Sequence, residues 1–238
     1  MLQLLKYLIK KLPIAFTKNQ EYDNQTKKVI NKICNNNSSY IDIGCHKGEV
    51  LDIVLKKSPN GNHYGFEPIP DLFKKLQKKY KGQPCTFFDI ALSNCVGETK
   101  FNYVVSNPAY SGLIKRSYDK KNEVDEQILV NTNKLDHLIP IESNISLIKI
   151  DVEGGELQVL EGGVETIKRC KPYIIFEHGL GASEFYDSTP DKVFKLLTSC
   201  GLKISTMKNW LANKPAFTLA EFEKQYFDKL NYYFIAYP

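Results

Sequence analysis

The sequence predicts a single α/β domain built on a doubly wound, mostly parallel sheet, and three observations lead there. From residue 39 onward, short apolar runs alternate with stretches of helical period, the pattern of parallel strands joined by crossover helices. A glycine turn, Asp42-Ile43-Gly44-Cys45-His46-Lys47-Gly48, separates the first of these runs from the first helical stretch. The 238 residues suffice for one core that buries roughly 70 to 75% of the unfolded surface, and are short for two.

Taken in order, residues 1–38 read as a helical extension ahead of a domain spanning 39–238. Leu2, Leu5, Leu8, Ile9 and Leu12, interleaved with Lys6, Lys10 and Lys11, form a short basic amphipathic pattern. It suits docking on the domain or contact with a membrane surface, and so few apolar residues favour docking. Strands are expected at Tyr40 to Ile43, His63 to Glu67, Thr86 to Ile90, Leu147 to Ile150, Tyr173 to Glu177, Leu202 to Thr206 and Tyr232 to Tyr237. Helices are expected at Glu49 to Lys57, Asp71 to Tyr80 and Glu156 to Arg169, each closed by a turn signal such as Ser58-Pro59-Asn60-Gly61, Gly82 or Pro172. Lys74, Lys75, Lys78, Lys79 and Lys81 form the wet face of the second of these. Phe101 to Val105 and Ile128 to Thr132 add a plausible extra pair of strands. Between them residues 106–127 are polar and long for a passive connection, which makes them a candidate lid. A last interruption, 208–230, carries the sole tryptophan, Trp210, and a helix near Leu219 to Tyr226.

Composition excludes several classes. Lys and Arg total 32 against 27 Asp and Glu, a net +5 spread along the chain, too mild to argue for a nucleic-acid partner. The six cysteines include no C-x-x-C pair, so neither a zinc site nor a disulfide framework is indicated. No apolar run approaches the roughly 20 residues needed to span a bilayer, and the expected location is the cytoplasm without stable membrane insertion.

The chemistry concentrates at the glycine turn. Glycines let a ligand approach the backbone, and the helix N-terminus behind them offers free N–H groups. Glu67 follows the second strand, 19 residues after Gly48, where an acid can accept hydrogen bonds from both hydroxyls of a ribose. Dinucleotide enzymes share this arrangement, but the G-x-G-x-x-G spacing is absent. Asp42 would also repel a pyrophosphate, whereas it suits the ammonium of a methionine moiety. S-adenosylmethionine is therefore favoured over NAD, and an NAD-dependent oxidoreductase stays as an alternative.

The string Leu147-Ile148-Lys149-Ile150-Asp151-Val152-Glu153-Gly154-Gly155-Glu156-Leu157, with Tyr40-Ile41-Asp42-Ile43-Gly44, Phe66-Glu67-Pro68, Ala91-Leu92-Ser93 and Leu135-Asp136, closely resembles the FkbM family of methyltransferases. The resemblance runs from about Tyr40 to Glu177. It implies the seven-stranded, Rossmann-like class I methyltransferase fold, S-adenosylmethionine as donor, and commonly O-methylation of a sugar, polyketide or similar hydroxyl. This chain departs from the family at Cys45 and His46, where alanine and asparagine are frequent.

Roles follow by position. Asp42, Gly44 and Gly48, with Cys45 and His46 beside them, are expected at the methionine portion, Glu67 at the ribose, and Asp89, Ile90 and Ala91 at the adenine. Asp89 is alternatively solvated, and His46 alternatively an exposed turn residue. The acceptor needs positioning and a base. His178 is preferred because a neutral imidazole is available at pH 7; the alternative is a satisfied loop histidine. Asp151 could hold the donor or the acceptor hydroxyl, and Glu153 could act catalytically or cap the following helix. Asp151, Glu177 and His178 could form a magnesium site, although three ligand types on two strand ends do not establish one, and no metal is assigned. The expected partner is a small-molecule hydroxyl acceptor, a sugar, glycan or polyketide-like compound. No N-P-P-Y or D-P-P-Y sequence follows the fourth strand, and Asn107-Pro108-Ala109-Tyr110 reads as a turn in the lid. The other alternative is a partner subunit that binds the nucleoside but has lost catalysis.

Overall fold

A computed structural model describes residues 17–118 and 122–238; the amphipathic segment 2–12 lies outside them. Helix α1, Lys18–Ile33, begins where the Thr17 hydroxyl accepts the Gln20 N–H, and it buries Tyr22, Thr26, Val29 and Ile30. That spacing is one helical face. The strands β1 (Ser39–Ile43), β2 (His63–Phe66) and β3 (Cys85–Phe88) alternate with α2 (Glu49–Lys57) and α3 (Pro70–Lys79). After β4 (Ile90–Leu92), β5 (Gly97–Val104) and β6 (Asp125–Asn133) come the short α4 (Leu135–Leu138) and β7 (Ile145–Ile150). The chain closes with α5 (Glu156–Glu161), α6 (Val164–Cys170), β8 (Tyr173–Glu177), α7 (Pro190–Ser199), β9 (Lys203–Ser205), α8 (Met207–Leu211), α9 (Leu219–Phe227) and β10 (Tyr233–Tyr237).

Seven strands form one sheet in the order β3-β2-β1-β7-β8-β10-β9. Every pairing is parallel except those of β10, which runs antiparallel to both β8 and β9. This is the expected mostly parallel, doubly wound α/β sheet in a single domain. Its strands are buried on both faces, as such sheets require. Ile41, Ile43, Ile148, Ile150 and Phe176 face a core closed by α5, α6, α7 and α9. Tyr40, Leu147, Ile175 and Ile235 face the other way, against α1, α2 and α8.

Three departures from the expected boundaries stand out. The run Thr86 to Ile90 is split at Asp89: β3 ends at Phe88, and β4 leaves to join β6 and β5 in a separate three-stranded sheet. The β5 and β6 strands pair antiparallel over Gly97 to Val104, longer than the alternating residues alone indicate. The single helix expected from Glu156 to Arg169 is two helices, broken at Gly162 and Gly163. A side chain at Gly162 would lie 2.2 Å from the Ser93 carbonyl oxygen, so the chain passes too closely there for a regular helix face.

Candidate active site

Residues two apart on a strand share a face, and this alternation builds the site. On the α1 side of the sheet, the apolar residues Tyr40, Leu147 and Ile175 are each followed two positions on by Asp42, Lys149 and Glu177. Lys149 leads in turn to Asp151, while β10 places Tyr233 opposite Glu177. The carboxyl ends of β1 and β7, where the strand order reverses, thus carry charged groups into a cavity of about 1360 Å³. Typical ligand pockets span roughly 300 to 1,000 Å³, so this one has room for a donor and an acceptor.

The turn after β1 forms one wall. Gly44 and His46 adopt left-handed backbones with φ of 76° and 51°. A Cβ on Gly44 would lie 2.0 Å from the Asp151 carbonyl oxygen, so this glycine is demanded by the crossing of two loops as well as by its φ. Cys45 is buried and points its Sγ at the Asp42 carbonyl, 3.1 Å away. The His46 N–H donates to Glu67 Oε2 at 2.8 Å and the Ile69 N–H to Oε1 at 3.0 Å, which fixes the Glu67 carboxyl at the cavity wall. Burial pushes Glu67 up to about 7, partly offset by those two N–H groups. Burial likewise raises Asp42 to about 6 against the pull of Lys149. Asp42 is 1% exposed, and its Oδ1 has no hydrogen-bond partner.

Asp42, Gly44, Cys45, His46, Glu67, Ile90, Ala91, Asp151 and Glu153 all line this cavity, and three expected residues do not. Gly48 opens α2 with φ 72°, but its absent side chain makes room for Tyr80, whose hydroxyl donates to the Gly48 carbonyl at 2.7 Å. Asp89 is exposed at the joint between β3 and β4. His178 lies one residue beyond Glu177 and therefore on the opposite face, 1% exposed, with its ring stacked on Phe222 and Tyr226. Burial lowers it to about 4, and both ring nitrogens lack partners. A neutral imidazole enclosed by aromatic rings outside the cavity takes no proton from an acceptor there, so the base assigned to His178 must be sought elsewhere.

The carboxyl oxygens of Asp151, Glu153 and Glu177 come within 4.8 Å of one another. Asp151 Oδ2 accepts from Lys149 Nζ at 3.0 Å and from the Tyr233 hydroxyl at 2.6 Å. Burial works against ionisation of Asp151, but these donors prevail and hold its carboxyl below the usual range. Glu153, in a left-handed backbone with φ 60°, pairs with the Arg116 guanidinium. Burial and then the neighbouring Asp151 push Glu153 up to about 8 despite that partner. Glu177 is raised well above an ordinary carboxyl by burial and by Asp151, Glu153 and Glu156. The magnesium set considered from the sequence is not assembled, because His178 faces away. Glu156, and not Glu153, steadies the loop: its Oε1 accepts the Val152 and Gly154 N–H groups at 3.0 and 3.3 Å.

The far side of the cavity is drawn from distant segments. Helix α1 contributes Asn19 and Tyr22, the loop after β8 contributes Phe185 and Tyr186, and the candidate lid contributes Tyr110 and Arg116. Arg116 lies over the Tyr110 ring, 4.9 Å from its centre, and Tyr110 stacks on Tyr118. The Ile114 N–H donates to the Tyr186 hydroxyl at 2.8 Å, so the segment is tied across the opening. Lys149, Arg116, Tyr186 and Tyr233 escaped the sequence reading. Only Lys149 left a clear signal, a lysine two residues before an aspartate inside an otherwise apolar strand.

The model of the methyltransferase FkbM domain matches residues 42–204, more than half of the sequence. The chain belongs to the FkbM methyltransferase family. Its cofactor is accordingly S-adenosylmethionine, and the buried Asp42 with its unpartnered oxygen and the wall-fixed Glu67 fit an ammonium and a ribose. Among solved structures, the FkbM methyltransferase of Methylobacillus flagellatus KT is similar, with a TM-score of 0.53 and 15% identity. That match covers 85% of this chain, which spans 44% of the other. A S-adenosylmethionine-dependent methyltransferase from Aquifex aeolicus aligns with a TM-score of 0.40 and 15% identity over 76% of this chain and 80% of its own. A putative rRNA methylase from Clostridium thermocellum gives 0.44 and 11% over 74% and 78%. No curated protein matches the sequence.

Proposed function

We propose that the protein transfers a methyl group from S-adenosylmethionine to a hydroxyl of a sugar or other small polar metabolite in the cytoplasm, with Asp151 receiving the proton. The observation that carries this reading is the Asp151 carboxylate, kept ionised at the cavity wall by Lys149 and Tyr233. When bound, the donor supplies an already activated methyl group, so the protein's work is to position and to remove a proton. Asp42 would hold the ammonium and Glu67 the ribose hydroxyls, while Ile90 and Ala91 would offer the adenine an apolar wall. An acceptor oxygen that has taken a methyl group carries an O–H far more acidic than any carboxylic acid. A carboxylate with a low pKa is therefore a sufficient base, provided it is near and charged.

The acceptor wall combines tyrosines with amide side chains, a surface suited to polyhydroxyl compounds. Nine Asp and Glu residues line the cavity against three Lys and Arg, although the chain as a whole is +5. That charge disfavours phosphate-bearing acceptors, RNA among them. Two of the three clustered carboxylates hold Lys149 and Arg116, which favours metal-free chemistry. Among the described residues no helix is long and apolar enough to cross a membrane.

The test is transfer of a labelled methyl group to sugars, glycans, phenols and RNA, with and without a chelator, by the parent and Asp151→Asn. Transfer to a hydroxyl is expected, insensitive to chelation and slowed about 10²- to 10⁴-fold in the variant. Transfer to nitrogen or RNA would defeat the acceptor assignment. Donor binding without turnover on any acceptor would support the inactive partner subunit.

A further inference from the structure

The carboxyl cluster is short of one cation. Lys149 engages Asp151 and Arg116 engages Glu153, but among the described residues no ion pair joins Glu177 to a lysine, arginine or histidine. The groups that face Glu177 are acids and phenols from every neighbouring element. These are Asp151 and Glu153 after β7, Glu156 on α5, Tyr232 and Tyr233 at β10, and Tyr22 on α1. Lys149 and Arg116 reach it through their own carboxylate partners, and Glu177 is hydrogen-bonded to Asp151. A second acid tells the same story independently: Asp42, 99% buried, presents an unpartnered oxygen in the same cavity. The site is built to receive positive charge.

The donor of the reaction proposed above carries that charge on its sulfonium, and the demethylated product does not. We propose that Glu177 is the residue by which the site distinguishes donor from product, holding a proton in the free protein and releasing it to solvent when the sulfonium donor binds. The inference rests on the methyltransferase reading and gives it a direction. Donor binding gains more from a rise in pH than product binding does, and the product is released from a cavity in which Glu177 has regained its proton. Glu177 touches no reacting atom in this account; it is a positioning and discriminating residue. Its high proton affinity, raised first by burial and then by its acidic neighbours within the carboxyl cluster, is what makes the exchange possible.

The experiment is calorimetric binding to the full chain of S-adenosylmethionine, S-adenosylhomocysteine and sinefungin, whose amine-bearing carbon replaces the sulfonium. Each titration is run in two buffers of different ionisation enthalpy and at several pH values. The expected result is up to about one proton more released per donor or sinefungin bound than per S-adenosylhomocysteine, whose ammonium draws on Asp42 alone, by linkage of binding to titration. In Glu177→Gln the release disappears and the donor-to-product affinity ratio falls about tenfold, one pKa unit of coupling. Retained S-adenosylhomocysteine binding reports that the variant is folded. Equal proton release by donor and product, or an unchanged affinity ratio in Glu177→Gln, would overturn the role of Glu177. Failure of the parent to bind any of the three would instead overturn the methyltransferase reading. Should the variant not fold, the two-buffer comparison on the parent still decides.

Discussion

The two halves of the cavity are built differently. The half proposed for the donor rests on the ends of β1, β2 and β7, and the turns that follow β1 and β2 are cross-linked: Gly44 and Cys45 both donate to the Phe66 carbonyl at 3.1 Å, and Glu67 binds two backbone N–H groups. The half proposed for the acceptor is assembled from α1, the 106–118 segment, the loop after β8 and the start of β10, and side chains tie its parts together: the Tyr186 hydroxyl accepts the Ile114 N–H, and Arg116 lies over Tyr110. A fixed cofactor can be met by a rigid sheet edge, whereas an acceptor must enter and leave, which is the work of loops carried on a scaffold. Rigidity and adaptability are thus divided between strand ends and surface segments.

The largest expected effect probes the donor half. Gly44→Ala sets a Cβ against the Asp151 carbonyl in a left-handed backbone, and should cost roughly 3 kcal/mol or more in unfolding free energy. Denaturant unfolding of parent and variant, with donor binding alongside, measures it; a loss below about 1 kcal/mol would mean that the two loops do not meet as described.

The next separates the cavity from the opposite face of the sheet, through pH. The folded state holds His178 neutral down to about pH 4, while the unfolded chain protonates it near 6.5. The unfolded state therefore binds more protons between those values. The stability contributed by the neutral ring is present above pH 6.5 and lost as pH falls toward 4, by about 3 kcal/mol in all. Asp42 and Glu67 act in the other sense, since their raised folded values, about 6 and 7, cost stability as pH rises from about 4 through that window. His178→Phe should remove the acid-side loss and leave the methyl-transfer rate at pH 7 unchanged. Unfolding of parent and variant across pH 4 to 7 reads the first, and a rate loss of tenfold or more would return His178 to the reaction.

The two halves also differ in how far the sequence discloses them. Asp42, Gly44 and Glu67 lie in contiguous strand-turn segments, where local spacing and three-dimensional position coincide, and they reach the cavity as expected. Gly48 lies outside the cavity because a glycine in such a turn also serves packing, here against Tyr80. Asp89 lies outside it because β4 leaves the main sheet one residue later. Strand alternation alone puts Glu177 and His178 on opposite faces, which takes His178 away from the cavity that Glu177 lines. Arg116, Tyr186 and Tyr233 reach the site only through tertiary contacts, and no spacing rule brings them together.

 

What unites those three is contact between segments far apart in the chain: Arg116 reaches Glu153, the Tyr186 hydroxyl accepts the Ile114 N–H, and Tyr233 donates to Asp151.

The smallest expected effect sharpens the contrast from the acceptor side. Arg116→Met removes the tie between the 106–118 segment and Glu153 while keeping an apolar stem against Tyr110. Amide hydrogen exchange around Ile114 should quicken about tenfold, with exchange in β1 and β7 unchanged, as expected when a local contact and not the whole fold is weakened. Exchange that is unaltered near Ile114 would show that the arginine does not restrain the segment.

The central claim is that Glu67 and Asp42 hold an adenosine-bearing methyl donor at the ends of β2 and β1. Calorimetric titration of the parent and Glu67→Gln with S-adenosylmethionine, beside NAD, tests it most directly. The parent should bind S-adenosylmethionine and not NAD, and the variant should bind it about 10- to 100-fold more weakly, the worth of a hydrogen bond to a charged group. Binding of NAD by the parent without binding of S-adenosylmethionine, or equal donor affinity in Glu67→Gln, would contradict the account.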